Sequence, residues 1–232
     1  MVKKVLVRGE KKLYWEKGDV HSKEGMIKET DIALAKSQVL THLGKPFAVY
    51  DANFLDQTKN IRRGPQTLVA KDLSYILFHA DLTKDTVVVD AGTGNGLLAA
   101  VLARYAKKVV SYDTNKDNLR LAKRNLEALG ISNVELREGD MYEKIDEKNI
   151  DCLTLDLPEP WRVDLGCVKS SGTIIVYLPT ITQVIEFCRT TKEHVDKVVE
   201  LIEREWIVDG KRVRPTSDIL GHTGFMIIVR KL

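Results

Sequence analysis

Two stretches of this chain carry residue types that do chemistry. The first is Asp156-Leu157-Pro158-Glu159-Pro160-Trp161, a carboxylate followed by two prolines and an indole. Proline fixes φ, so the segment is stiff, and Trp161 offers a flat apolar face. A carboxylate on a rigid loop beside an aromatic suits the grip of a planar base that carries an amino group. The second stretch is Asp90-Ala91-Gly92-Thr93-Gly94-Asn95-Gly96-Leu97. Its glycines leave room for a ligand against the backbone and permit φ > 0. A turn of this kind, after a strand and opening a helix, is where α/β folds bind nucleotide-like cofactors. Leu97 stands where a dinucleotide fingerprint wants its third glycine. Asp113, ending the next strand, is of a type and at a distance to hold both hydroxyls of a ribose. Each reading has a plain rival: a bare structural turn, or a strand end capped by prolines with Trp161 in the core.

These residues need elements to position them. From Gln66 the pattern is one of alternating helices and strands. Val69, Leu73, Ile76, Leu77 and Ala80 recur at helical spacing ahead of a strand at 86–90. Leu98, Val101, Leu102 and Tyr105 mark the helix after the glycine turn. A strand at 108–113 precedes a helix with Leu119, Ala122, Leu126 and Leu129 on one face. Thr114 and Asp117 have capping-box spacing at its start, and Gly130 is suited to end it. Strands follow at 134–137, 152–156 and 173–178, then a helix capped by Thr180 and Gln183 that runs to about Glu203. Two final strands are expected at 205–208 and 225–230, with a loop at 209–224 between them. Alternating elements with right-handed crossovers imply a mainly parallel sheet covered on both faces. All the strand ends that carry acids then share one edge, so Asp156, Asp113, Asp140 and the glycine turn face one ligand site. Ahead of this lies a small β module, residues 1–60, with strands at 2–7, 12–16 and 45–51. The main domain is 61–232.

At 232 residues the chain has length enough for one large domain with a small appendage. It contains no apolar run near the ~20 residues that span a bilayer, and its N-terminal run is too short for a signal peptide. Cys152, Cys167 and Cys188 show no C-x-x-C pairing, which argues against zinc and for reduced thiols in a cytoplasmic protein. No metal site is expected. Net charge is +3, yet residues 1–71 hold 14 Lys/Arg against 8 Asp/Glu. A basic N-terminal part suits a polyanionic partner, although a solvated surface is the plainer reading.

A strand, a G-x-G-x-G turn and an acid ending the second strand resemble the S-adenosylmethionine site of class I methyltransferases. Further segments narrow the likeness: Gly18-Asp19-Val20-His21 with Gly25, Arg63-Gly64-Pro65-Gln66, Lys71-Asp72, Ser111-Tyr112-Asp113, and Glu138-Gly139-Asp140. Beyond Asp156–Trp161 come Tyr177-Leu178-Pro179 with Gln183-Val184, Arg204-Glu205-Trp206, Arg214-Pro215 and Gly221-His222-Thr223-Gly224-Phe225. In this order, over nearly the whole chain, they resemble the tRNA (adenine-N1)-methyltransferase family, which methylates T-loop adenines at tRNA positions 57 and 58. The resemblance implies a seven-stranded class I fold (α/β, Rossmann-like) with a small N-terminal β domain. It implies S-adenosylmethionine as cofactor, tRNA as substrate, and a homotetramer.

Residue by residue, the resemblance implies that Gln66, Asp90, Gly92, Gly94, Asn95, Gly96, Leu97, Asp113, Asp140, Met141 and Asp156 surround the cofactor. Asp156 is the implied catalytic carboxylate. Arg62, Arg63, Pro158, Trp161, Tyr177, Arg214 and His222 are the implied substrate contacts; Lys211 and Arg212 are further phosphate candidates. Two positions depart from the family: Val69-Ala70 replaces an aromatic or His followed by Pro, and Asp113 stands where Glu is frequent. Trp15 and Trp206 read as core, Cys152 and Cys188 as small buried hydrophobes, and His21 and His222, from their glycine-flanked turns, as hydrogen-bonded structural residues ahead of substrate contacts. A protein isoaspartyl carboxyl methyltransferase and a non-catalytic RNA-binding subunit are the alternative functions.

Overall fold

Short apolar–polar alternations broken by Gly-containing turns produce hairpins in the first fifty positions. The computed structural model describes every residue except Arg63, Pro65, Gln66, Lys144 and Lys211, and divides into two units, Met1–Arg62 and Arg63–Leu232. In the first unit, β1 (Lys4–Arg8), β2 (Lys11–Trp15), β3 (Val20–Ser22) and β4 (Gly25–Ile27) lead to α1 (Glu29–Leu34). There follow β5 (Gln38–Leu40), β6 (Pro46–Asp51) and α2 (Phe54–Thr58). A four-stranded antiparallel sheet, ordered β2-β1-β6-β5, stands beside the β3-β4 hairpin. Leu6, Trp15, Ile27, Ile32 and Phe47 form its core, so Trp15 is a core residue as expected. Two short helices belong to a module that the sequence presents as all strand. Asn53 and Asp56 open the second with a reciprocal capping box.

The second unit runs α3 (Ala70–His79), β7 (Val87–Ala91), α4 (Leu97–Ala103), β8 (Lys108–Asp113), α5 (Lys116–Leu129), β9 (Val134–Glu138), β10 (Ile150–Leu155) and β11 (Val168–Leu178). It continues with α6 (Ile181–Thr190), β12 (His194–Glu200), β13 (Trp206–Asp209), β14 (Arg212–Pro215) and β15 (Phe225–Arg230). Seven strands form one sheet in the order β12-β15-β11-β10-β7-β8-β9. The five from β11 to β9 are parallel, and β15 enters antiparallel between β11 and β12. Both faces of the central strands are buried, which is why they read as continuous β-branched runs.

Several expectations are corrected here. The helix after Thr180 stops at Thr190 instead of reaching Glu203, and 194–200 form the edge strand β12. Thr190 and Thr191 interrupt the helix, and Val195, Val198 and Val199 favour extended backbone. The strand expected at 205–208 is β13, which pairs with β14 in a separate hairpin turning at Gly210 (φ +54°) rather than joining the sheet. Residues 209–224, read as loop, therefore contain a strand. At the start of α5 the cap is Asn115, whose side chain accepts from Asp117 N–H; Thr114 does not take that part. Gly130 does end α5, in the left-handed region. Trp206 is 59% exposed, not core. Cys188 lies on the exposed face of α6, whose buried positions are Val184 and Phe187. All three cysteines are free thiols.

Candidate active site at the carboxyl edge of the sheet

The site starts beneath the glycine turn. Asp90 lies opposite Ser111 on β8 and Thr154 on β10 in the parallel register. Ser111 Oγ donates to Asp90 Oδ2 at 2.6 Å and Thr154 Oγ1 to Oδ1 at 2.7 Å. Three strands thus share one fully buried polar rung. Burial pushes the Asp90 carboxyl up to about 6 against the lowering effect of those two hydroxyls. Asp90 accordingly supports the turn from below.

Above it, Gly92, Gly94 and Gly96 all have positive φ. Gly92 sits at φ +98°, and a β-carbon there would overlap the carbonyl oxygen of Asp156. Gly96 serves α4 as a left-handed N-cap, and a β-carbon there would lie 2.9 Å from Ala122 Cβ on α5. The third glycine of this turn thus allows close helix packing. Asn95 is buried, its Nδ2 donating to Thr67 Oγ1 and its carbonyl accepting from Asn125 Nδ2. Leu97 and Met141 are also buried.

Asp113 ends β8 as expected. Its Oδ2 accepts from Gly94 N–H and Asn118 Nδ2, each at 3.0 Å, and its Oδ1 from Asn115 N–H at 2.8 Å. The acid therefore ties the glycine turn to the start of α5. Asp140, just past β9, caps its own loop through Tyr142 N–H at 2.9 Å.

Asp156 follows β10, and its N–H donates to Ala91 O at 2.9 Å. Among the described residues no protein donor reaches its carboxylate, in contrast to Asp90, Asp113 and Asp140. Burial first, and the charge of Asp90 second, push its pKa up to about 7. Pro158 is exposed, Pro160 is buried, and Trp161 packs half-buried on the core, so the core alternative for that indole holds in part. The loop is tied down twice: Gln183 Nε2 donates to Pro158 O at 2.9 Å, and Glu159 N–H donates to the Tyr142 hydroxyl at 3.1 Å. Thr180 orients the Gln183 amide by donating to its Oε1 at 2.6 Å.

Tyr177, at the end of β11, donates its hydroxyl to Thr223 O at 2.6 Å. His222 Nδ1 meets Glu200 at 2.6 Å and its Nε2 meets Pro179 O at 2.9 Å, so both ring nitrogens are engaged within the protein. Arg214 lies exposed on β14, away from the glycine turn in sequence and in sheet. Arg62 is exposed in the first unit. Arg63, Gln66 and Lys211 lie outside the described residues.

The sequence reading assigned no role in the site to Lys71, Asp72, Tyr142, Gln183 or Thr223, giving Gln183 only a part in a helix cap. Four of these fall in quoted segments, but nothing in the spacing says that they meet. For Ser111 and Thr154 a signal was present: hydroxyls inside otherwise apolar buried strands need a polar partner.

Comparison with known proteins identifies the fold and the family. A family described as a methyltransferase domain matches residues 82–170. A tRNA (adenine(57)-N(1)/adenine(58)-N(1))-methyltransferase of Methanocaldococcus jannaschii is 31% identical over 229 residues, covering 83% of this chain and 81% of its own. A solved structure of the tRNA (m1A58) methyltransferase TrmI from Aquifex aeolicus aligns with a TM-score of 0.88 at 25% identity, over 99% of this chain and 96% of that one. A SAM-dependent O-methyltransferase from Thermotoga maritima aligns at 0.89 and 27% identity, over 100% and 93%.

Proposed function

Since this chain belongs to the tRNA (adenine-N1)-methyltransferase family, we propose that it methylates N1 of adenine 58 in the tRNA T-loop, with position 57 as a second target. S-adenosylmethionine is the cofactor of this class. The observation that carries the reading is the Asp156 carboxylate, raised to about 7 and without a donor among the described residues, at the edge where the glycine turn opens.

The residues fit that cofactor. A turn of three positive-φ glycines leaves backbone uncovered, and a carboxylate ends the adjacent strand. Gly92, Gly94, Gly96 and Asp113 would hold the methionine and ribose parts, with Asn95 and Leu97 beside them and Asp90 beneath. Asp140 and Met141 would face the adenine of the cofactor, and Gln66 its methionine end. When bound, S-adenosylmethionine supplies an electrophilic methyl group on a positively charged sulfur. The surrounding carboxylates give this edge the negative potential such a cation requires.

For the substrate, the work of the chain is orientation and charge stabilisation. Adenine N1 attacks with its in-plane lone pair, and positive charge grows over the ring. Asp156 accepts a hydrogen bond from the N6 amino group, stabilises that charge and can take a proton as the base turns acidic. Pro158, Trp161 and Tyr177 form the walls for the base. Arg62, Arg63, Arg214 and His222 remain candidate RNA contacts, and binding through the arginines falls steeply with salt.

We further propose a homotetramer working in the cytoplasm. Trp206, Val208 and Val213 of the β13-β14 hairpin are exposed at 59%, 75% and 60%, an apolar surface suited to a second copy. No helix among the described residues is long and apolar enough to cross a membrane. The isoaspartyl carboxyl methyltransferase alternative is disfavoured by the Asp156–Trp161 loop. A non-catalytic subunit is disfavoured by the presence of both the glycine turn and Asp156. Nucleoside mass spectrometry on unmodified tRNA incubated with protein and S-adenosylmethionine tests the reading: 1-methyladenosine is expected. Its absence, with cofactor binding verified by calorimetry, overturns it.

A further inference from the structure

Three sequence segments far apart in the chain meet in one buried cluster. Lys71 and Asp72 open α3, Tyr177 ends β11, and Thr223 precedes β15. Asp72 is 0% exposed and the Lys71 side chain 7%. Lys71 Nζ contacts Asp72 Oδ1 at 3.0 Å and donates to Thr223 Oγ1 at 2.5 Å. Thr223 Oγ1 in turn donates to Asp72 Oδ2 at 2.7 Å. The Thr223 carbonyl takes the Tyr177 hydroxyl at 2.6 Å, and Asp72 Oδ2 lies 3.4 Å from that same hydroxyl. Gly224 completes the fit, because a β-carbon there would overlap the Tyr177 ring.

An ion pair this buried contributes little net stability against hydrophobic packing of the same volume, because both charges are desolvated. Its use lies in geometry: the ammonium, the carboxylate and both hydroxyls are engaged with one another, so moving one member disturbs the rest. What that arrangement fixes is Tyr177. Leu155 pairs with Val176, so Asp156 and Tyr177 come next at the ends of neighbouring strands; burial, with the charges of Asp72 and Asp156, pushes the phenol up to about 12. Its only proton is committed to Thr223 O, so Tyr177 offers a substrate its ring and not a hydroxyl.

We propose that Lys71, Asp72 and Thr223 are positioning residues, a buried lock that holds the Tyr177 ring as a fixed wall of the base pocket beside Asp156. The proposal rests on the methyl-transfer reading for its effect on rate, but not for its structural content. Removing Asp72 or Lys71 singly leaves a buried charge and risks the fold. Thr223→Val is the sharper variant: it keeps shape, the Lys71–Asp72 pair and the backbone carbonyl, and removes only the hydroxyl that bridges them.

Two measurements on the full chain test it. In Thr223→Val, kcat for methyl transfer to tRNA is expected to fall about 10- to 100-fold, the loss typical of misplaced reactive groups. The affinity for S-adenosylmethionine by calorimetry should stay unchanged, and Thr223→Ser should restore the rate. Independently, proton NMR should find the Tyr177 hydroxyl proton, assigned with Tyr177→Phe, exchanging slowly in the wild type and at least about tenfold faster in Thr223→Val, because the carbonyl that accepts it is no longer held in place by the side-chain bonds to Lys71 and Asp72. Faster exchange with the fall in kcat supports the lock. Unchanged kcat, or unchanged exchange, overturns it. Should the wild type yield no 1-methyladenosine, the methyl-transfer reading fails while the exchange comparison still decides whether the lock exists.

Discussion

Gly92 and Asp156 are in such close apposition that a β-carbon on the glycine would occupy the space of the aspartate's carbonyl oxygen. The ends of β7 and β10 are further joined by the Asp156 N–H to Ala91 O bond of 2.9 Å. The turn proposed to hold the cofactor and the residue proposed to act on the base are therefore one mechanical unit.

Gly92→Ala should break that unit. The side chain must enter a φ of +98° and displace backbone, at a cost of about 1–3 kcal/mol from conformation alone. Urea denaturation should reveal the lost stability, and calorimetry the loss of S-adenosylmethionine binding. Wild-type binding in a stable variant would contradict the tight apposition.

Asp156→Asn should retain cofactor binding while methyl transfer falls about 10²- to 10⁴-fold, the usual worth of a general base. In the wild type, the carboxylate is the active form, so kcat should rise with pH through about 7 and level off above it. A raised carboxylate pKa means that the folded state keeps a proton where the unfolded chain has lost it. Stability from this group is complete below the ordinary carboxylate range and lost as pH rises through about 7. Asn should therefore stabilise the fold at pH 8, by at most about 4 kcal/mol, and have little effect at pH 4. Thermal melting of both proteins across that range measures this.

His222 should behave in the opposite sense to an ordinary acid pair. Its two ring nitrogens face two acceptors, Pro179 O and Glu200, and only the imidazolium can donate to both. Pro179 O first and Glu200 second raise its pKa, while Lys71 lowers it. Its contribution to stability is complete below the ordinary histidine range and disappears as pH rises through the raised folded value. Melting-temperature differences between wild type and His222→Gln should shrink as pH rises above the ordinary histidine value of about 6.5; a constant difference would exclude the imidazolium.

Gln183→Glu isolates one contact. The carboxylate keeps the size of the amide and can still accept from Thr180, but it faces the Pro158 carbonyl without a proton to donate. The expected result is a KM increase for tRNA of about tenfold, corresponding to the ~1.5 kcal/mol scale of one hydrogen bond. Cofactor affinity should not move. Steady-state kinetics with each substrate varied separately would reveal whether the loop depends on this donor.

Much of the site was legible because its parts are local. A β-branched run, three glycines and an acid one strand later lie within about 25 residues of one another, and a parallel sheet brings such strand ends to one edge. What stayed hidden was non-local or weakly patterned. As an edge strand, β12 has only two half-buried positions in seven, so its Asp196-Lys197 reads as helical surface. Asp72 is buried by partners 105 and 151 residues away, a distance no periodicity spans. Asp90 looks like a ligand residue in the linear pattern, and only the register with Ser111 and Thr154 reveals where its oxygens go. Trp206 has the composition of core but lies on a hairpin outside the sheet.

The insertion of β15 between β11 and β12 sets an order of events during synthesis. On the ribosome β12 is made before β15, yet its hydrogen-bonding partner in the sheet is β15. Until Phe225–Arg230 has been translated and freed, the open side of β11 is a bare apolar edge and 194–200 have nowhere to go. The cofactor turn and Asp156 lie on strands made much earlier. The nascent chain can therefore assemble its chemistry first and close its sheet last. That interval, with β11 uncovered, is when chaperone protection would matter most.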